Sequence, residues 1–234
     1  MITHVEHVMG TAVSISVDPG SGDPAAAISD ACAALHAADQ TFSTFKAGSA
    51  LSRHRRGEPR AEELPDEMLE VLELSARAAR LTGGFFDPWA MPGGFDPTGL
   101  VKGWAVERAA TVLDRLEGYA HSVNAGGDIA LGGHDATGPA RPWRIGIEDP
   151  RDRSRIAEVV EMVRGGVATS GTAARGAHLW DPERQEWVRR IGSVTVVGPS
   201  LLWADIWATA LFVGPPGLVQ ELPRLEPDYR AIVL

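Results

Sequence analysis

The stretch Phe95 to Arg108 reads F-D-P-T-G-L-V-K-G-W-A-V-E-R. Pro97 fixes its own φ and Gly99 opens backbone conformations barred to other residues, so the segment begins as a turn. From Leu100 the apolar positions Val101, Trp104, Ala105 and Val106, followed by Glu107 and Arg108, predict an amphipathic helix running to about Leu116. Asp96, Gly99 and Lys102 are spaced three apart where turn becomes helix, and the amides of a helix start favour anions. The stretch is a candidate phosphate and metal site. A plain alternative stands beside it, in which Asp96 caps the turn and Lys102 is solvated.

Working toward the N-terminus, T-G-G-F-F-D-P-W at Thr82 to Trp89 supplies a second Asp-Pro. It follows a helix predicted over Pro65 to Leu81, with Met68, Leu69, Leu72, Ala76 and Ala79 inward, and Gly83 and Gly84 stop that helix. The two Asp-Pro turns are close enough in sequence to face one cleft. Toward the C-terminus, L-L-W-A-D-I-W-A-T-A-L-F at Leu201 to Phe212 is apolar all round except for Asp205 and Thr209, with Ser200 placed to cap it. Their spacing of four puts both on one face, and both are expected to be buried. A buried carboxylate needs a partner. With a hydroxyl beside it, a hard ion such as Mg²⁺ qualifies. So does an Arg, and the two readings stay open.

The remaining segments alternate strands and helices. Thr11 to Val17 is a half-buried strand ended by Asp18, Pro19 and Gly20, and Pro24 to about Gln40 is a helix with Asp23 as N-cap and His36 on its surface. Phe42 to Arg53 is a polar loop in which Phe45 is either core filler or a platform for a planar ligand, and the cluster Arg53 to Arg56 is a solvated face. His121 to Gly133 is two short strands interrupted by Asn124, Gly126 and Gly127, where a bulge or a close approach is expected. Asp128 beside them suits either ligand hydroxyls or a local turn contact. Arg141 to Pro150 and Glu158 to Arg164 are strands. Gly166 to Gly176 is a loop whose Thr169 and Ser170 could help cradle an oxyanion, unless it is an ordinary loop. His178 follows as a candidate acid or base, and Ile191 to Ser200 is a strand and turn.

At 234 residues the chain is long enough for a sizeable core, and it shows no repeat or low-complexity tract. A net charge of -9 argues against a nucleic-acid surface but leaves room for a small anionic ligand if a cation mediates. Cys32 is the single cysteine, in an Ala-rich helical run, so neither a disulfide framework nor a thiolate metal site is expected. Met1 to Gly10 lacks a signal-peptide pattern and no apolar run reaches the roughly 20 residues of a membrane span. A soluble cytoplasmic protein without membrane association is expected.

Together these pieces resemble the ApbE family, the FAD:protein FMN transferases. The matching motifs fall in family order: Met9-Gly10-Thr11, S-T-F-K-x-x-S-x-L-S-R from Ser43, T-G-G-F-F-D-P from Thr82, D-P-T-G-L-V-K-G from Asp96, N-A-G-G-D-I from Asn124, T-S-G from Thr169, H-L-W-D-P from His178 and A-D-I-W-A-T-A from Ala204. Unlike many family members, the chain is expected to have no export signal or lipobox cysteine, and it has almost nothing between the F-D-P and D-x-x-G-x-x-K-G motifs. The run from Thr169 to His178 is also short, and Glu183-Arg184-Gln185 stands where Thr-Gly usually follows Asp181-Pro182.

The resemblance implies an α+β fold, with mixed β-sheets and packed helices forming two intimately associated lobes around a central cleft, in one domain over 1–234. It implies Mg²⁺, or Mn²⁺ in its place, held by the Gly99 carbonyl, Asp205 and Thr209, with Ala208 where some members have another acidic ligand. It also implies flavin or nucleotide contacts from Met9, Phe45, Phe85, Phe86, Asp87, Asp96 and Lys102, to which Thr169, Ser170 and Leu179 are added as candidates. The implied reaction moves the FMN part of FAD to a Thr or Ser hydroxyl of a partner protein and releases AMP, with Asp205 and Lys102 stabilising charge and His178 as base, Asp87 in reserve. FAD hydrolysis to FMN and AMP, or flavin carriage without catalysis, are the alternatives.

Overall fold

The chain opens with an element that its own residues conceal. In the computed structural model, which describes all residues except 19–22, 59–62, 117, 134–141 and 174–175, β1 (Ile2–Val8) pairs antiparallel with β2 (Thr11–Asp18) through a two-residue turn. β2 is the predicted strand; Pro19 and Gly20, its expected terminators, lie outside the described residues. The turn residues Met9 and Gly10 both have positive φ, 53° and 71°, as the hairpin turn that matches strand twist requires.

Helix α1 (Ala25–Phe42) begins one residue after Pro24, and the Asp23 carboxylate accepts from the Ala25 amide from just outside it rather than capping it as predicted. The polar loop after it contains an unpredicted helix, α2 (Ala50–Arg55), whose N-cap Ser49 accepts from the Ser52 amide. Next, α3 (Asp66–Leu81) has its buried face one residue away from expectation. Met68, Val71, Ser75 and Ala78 are buried, while Leu69 is 39% exposed. The stripe is broad enough that apolar spacing alone does not choose between the two rotations.

α4 (Thr98–Leu113) leads into the hairpin of β3 (Ala120–Ala125) and β4 (Asp128–Gly133), so Gly126 and Gly127 make a turn and not a bulge. β5 (Trp143–Asp149) and β6 (Asp152–Met162) form a separate ribbon; Arg141, the expected start of β5, lies outside the described residues. β7 (Gly165–Gly171) replaces the predicted small-residue loop, whose Ala174 and Arg175 also lie outside the described residues. The short hairpin of β8 (Trp180–Asp181) and β9 (Glu186–Trp187) and strand β10 (Ser193–Gly198) follow. Then come α5 (Leu201–Val213), α6 (Pro216–Leu225) and β11 (Arg230–Val233).

Seven strands form one sheet in the order β1-β2-β3-β4-β7-β10-β11, with every neighbouring pair antiparallel. Helices segregated onto such a sheet make the fold α+β. α5, buried on nearly all sides, packs over β7 and β10, while α4 covers β3 and β4 and packs against both α1 and α5. Successive strand residues face opposite ways, so Val196 joins the main core under the helices while its neighbour Val197 meets Ile147, Val160, Val167 and Ile232 on the other face. The β5-β6 ribbon therefore covers the back of the sheet. Among the described residues no helix is long and apolar enough to cross a membrane.

Candidate active site

Gly103 sets the distance between the two helices that carry the site. A Cβ there would lie 3.2 Å from Leu202 Cα and 3.3 Å from Asp205 Cβ, tighter than an ordinary contact, so glycine eases the close approach of α4 and α5. The contact carries Lys102 of α4 up to Asp205 of α5, with Nζ 3.6 Å from Oδ2, while the same ammonium makes an ion pair with Asp128 at the start of β4. Asp205 is 3% exposed and Asp128 2%, so both carboxylates share one cation on the floor of a cleft. Lys102 is thus a partner of Asp205 in this structure. In place of the local turn contact read as one alternative, Asp128 has the Lys102 ion pair and an acceptor role toward the Thr169 amide.

The cleft has a volume of about 720 Å³, within the range of small-molecule sites. Met9, Phe45, Phe85, Phe86, Asp87, Asp96, Gly99, Lys102, Thr169, Ser170, His178, Leu179, Asp205 and Thr209 all line it. The two Asp-Pro turns do face one space. Met9 stands at its wall in a left-handed conformation uncommon for a residue with a side chain, which costs local strain.

Thr169 and Ser170 reach the cleft from a strand. β7 pairs with β10 from Gly166 to Gly171 but with β4 only from Gly165 to Val167, because β4 begins at Asp128. There the Asp128 carboxylate continues the ladder as a side chain, accepting from the Thr169 amide at 3.1 Å. The Thr169 amide, one donor of the predicted oxyanion cradle, is thus engaged, and the segment as far as Gly171 is extended strand. Ser170 and Thr209 share a hydroxyl hydrogen bond of 2.9 Å, and Thr209 is half-buried at the cleft wall where full burial was expected.

Asp96 accepts from the Thr98 amide at 3.0 Å and its hydroxyl at 2.7 Å, which organises the first turn of α4. Arg55 stands 3.8 Å from the other Asp96 oxygen and donates to the Gly93 carbonyl, and His54 meets the Phe95 ring edge-on. The basic cluster is therefore not simply a solvated face. Asp87 accepts from the Trp89 amide at 2.9 Å. Phe45 is 98% exposed, which removes it from the core. His178 donates Nδ1–H to the Gly176 carbonyl at 2.9 Å, because a carbonyl can only accept, so in the neutral ring the lone pair is on Nε2.

Asp39, Asp87, Asp96, Asp128 and Asp205 line the cleft against Lys102, and Asp39 also holds Lys46 at 2.5 Å. Asp39 was not singled out from the sequence, and Arg55 was read only within a solvated basic cluster, because its contacts to Gly93 and Asp96 join segments far apart in the chain. An anionic ligand would meet a carboxylate-rich floor here unless a cation came with it.

A sequence model of the ApbE family matches residues 9–93 and 90–233. The FAD:protein FMN transferase of Klebsiella pneumoniae is 28% identical over 82% of this chain and 72% of its own length. That of Salmonella typhimurium is 32% identical over 53% of this chain, but only 38% of its own length is spanned. Among solved structures, the ApbE protein of Thermotoga maritima superposes with a TM-score of 0.84 at 21% identity, covering 99% of this chain and 93% of that one. The flavin transferase ApbE of Vibrio cholerae gives 0.79 at 22% identity over 99% and 96%.

Proposed function

The chain belongs to the ApbE family, and from that premise we propose that it is, as one functional domain over 1–234, an FAD:protein FMN transferase dependent on Mg²⁺ or Mn²⁺. In this reading the acceptor's Thr or Ser oxygen bonds to the FMN phosphorus, the pyrophosphate linkage breaks, AMP leaves and the hydroxyl proton passes to a base. The observation that supports it is the gathering of flavin, metal and base candidates on one cleft whose carboxylates would repel a pyrophosphate arriving without a cation.

The residues present fit a hard cation. The Gly99 carbonyl, the Asp205 carboxylate and the Thr209 hydroxyl would hold it, an all-oxygen set suited to Mg²⁺ or Mn²⁺, while Ala208 is fully buried and offers no ligand. Bound there, the ion supplies Lewis-acid stabilisation of charge on the phosphates. Asp128 and Asp205 orient the Lys102 ammonium toward the same oxygens, so its charge is aimed before substrate binds. His178 Nε2 takes the acceptor proton, since its other nitrogen is committed to Gly176. Phe45, Phe85, Phe86 and Met9 contribute apolar and aromatic surface for the flavin or adenine ring.

The test is to incubate the protein with FAD and Mg²⁺, with and without a candidate flavoprotein acceptor, measuring AMP and flavin covalently held by the acceptor. AMP and acceptor-bound FMN appearing together, and only with acceptor, is the expected result. AMP without acceptor assigns the hydrolase instead. FAD that binds and stays intact in both arms overturns catalysis.

A further inference from the structure

On β1 the usual order of apolar inside and polar outside is broken at two positions. His4 lies opposite Ile15 and Glu6 opposite Val13, and both valine and isoleucine point wholly into the core under the helices. Cross-strand partners share a face, so His4 and Glu6 occupy the positions that apolar residues should fill, while Val5 is 53% exposed on the other side. A local break in the pattern without a gain in burial marks a place to look for function. Facing them, α1 sets Cys32 and His36 one turn apart on one side of the helix.

Glu6 joins the two histidines. His4 Nε2 is 3.1 Å from Glu6 Oε2, and His36 Nε2 is 3.1 Å from Glu6 Oε1. Ligand atoms of His4, Glu6 and Cys32 all lie within 4.8 Å of one another. His4, Glu6 and Cys32 also line a groove of about 430 Å³ between β1 and the start of α1, which gives the cluster an opening to solvent. Hydrogen bonds from His4 and His36 keep the Glu6 carboxyl below its ordinary range, while burial and then Glu6 raise the Cys32 thiol.

We propose that His4, Glu6, Cys32 and His36 form a second metal site, for a borderline-soft divalent cation of the Zn²⁺ class. Two imidazoles, a carboxylate and a thiolate are its characteristic donors, and they differ from the all-oxygen set in the cleft. A tetrahedral zinc with its usual bond lengths needs ligand atoms about 3.3–3.8 Å apart. Each imidazole Nε2 stands 3.1 Å from a Glu6 oxygen, near that spacing, and side-chain rotation must draw Cys32 and His36 inward to complete the tetrahedron. Binding releases the Cys32 proton to solvent, and one thiolate plus one carboxylate neutralise the ion. A lone cysteine in the sequence argued against a thiolate site, but the fold supplies its co-ligands from a strand. The ion would fasten the edge strand β1 to α1 and so steady the hairpin whose turn carries Met9 into the cleft.

The experiment uses the full chain, stripped with chelator and then kept in excess Mg²⁺ to occupy the all-oxygen site. Co²⁺ is titrated in and then displaced with Zn²⁺. The expected result is one equivalent of Co²⁺ with a thiolate-to-cobalt charge-transfer band and the strong visible absorption of tetrahedral cobalt. Cys32→Ser should abolish the charge-transfer band. His4→Ala and His36→Ala should each weaken Zn²⁺ binding by at least the roughly 10–100-fold that losing an outer-shell partner costs. Both histidines are about half exposed, so these variants keep the fold, which circular dichroism verifies. Absence of the charge-transfer band in the unaltered protein overturns the site, as does Zn²⁺ affinity unchanged in His4→Ala and Cys32→Ser. Neither result touches the transferase reading, which the AMP assay tests separately.

Discussion

Asp205→Asn separates a metal ligand from half of a structural ion pair, and the structure sets the size of each outcome. Breaking a buried pair costs about 3–5 kcal/mol when the surviving charge is left uncompensated. Lys102 would not be left so: it keeps its ion pair with Asp128, and its side chain is 24% exposed. Asparagine also keeps the shape of the side chain against Gly103. The expected loss of stability is therefore no more than about 1 kcal/mol, a shift of about 2–4 °C or less in Tm for a chain of this size. Removing the ligand charge should instead weaken the ion and cost several kcal/mol of transition-state stabilisation, about 10²-fold or more in Mg²⁺-dependent AMP release. Thermal melts and AMP release with a Mg²⁺ titration, on this one variant, give both numbers. A Tm drop of about 6–20 °C with Mg²⁺-dependent activity retained would refute the metal assignment.

Phe45→Ala should weaken FAD binding by about 0.5–1.5 kcal/mol, read by fluorescence titration, with Tm unchanged because the ring is 98% exposed. Gly103→Ala drives a Cβ against Leu202 Cα at 3.2 Å and Asp205 Cβ at 3.3 Å; overpacking should cost about 1–3 kcal/mol and displace Asp205, so denaturation midpoint and AMP release should fall together. Acid stability should follow the buried His121, which contacts Asp114, itself held by Arg164 at 3.1 Å through both guanidinium nitrogens. Burial lowers His121 below its ordinary 6.5; burial raises the Asp114 carboxyl, but His121 and Arg164 overcome that and hold it below its ordinary 3.8. Each group binds fewer protons folded than unfolded just below its ordinary value, so stability should be full above pH 6.5, fall first below 6.5 and fall again below 3.8. Urea midpoints across pH check this, and Asp114→Asn should remove the more acidic step.

The parts of the fold legible in sequence are those whose pattern reports only on their own surroundings. α5 reads as central because it is apolar nearly all round, and β2 because it alternates cleanly. β1 is hidden because His4 and Glu6 sit on its inner face and blur the period of two. β7 reads as a loop because G-G-V-A-T-S-G is all small residues; what makes it a strand is the close passage of other chain segments, with Leu201 Cα only 2.3 Å from where a Gly166 side chain would begin. Small size is demanded by the neighbours, and the neighbours are remote in sequence. The same holds for the buried Ser75, whose rotation toward the core is fixed by packing on α3 and not by its own polarity.

The site divides along the same line. The residues that would touch flavin or metal stand in short motifs, each legible because a turn or a helix start brings its members together locally. The contacts that give the cleft its electrostatic character join residues 102, 128 and 205, which no local pattern connects. Read singly, Lys102 promises a positive charge for phosphates and Asp205 a negative one for metal. Read together with Asp128, the floor carries one ammonium and two carboxylates, so its formal balance is negative and a divalent cation would reverse it. The floor thus holds Lys102 in position at the cost of its net charge, and the attraction for a pyrophosphate must be completed by an ion. On this argument, metal and FAD should bind with positive coupling, each raising the affinity for the other by the same factor.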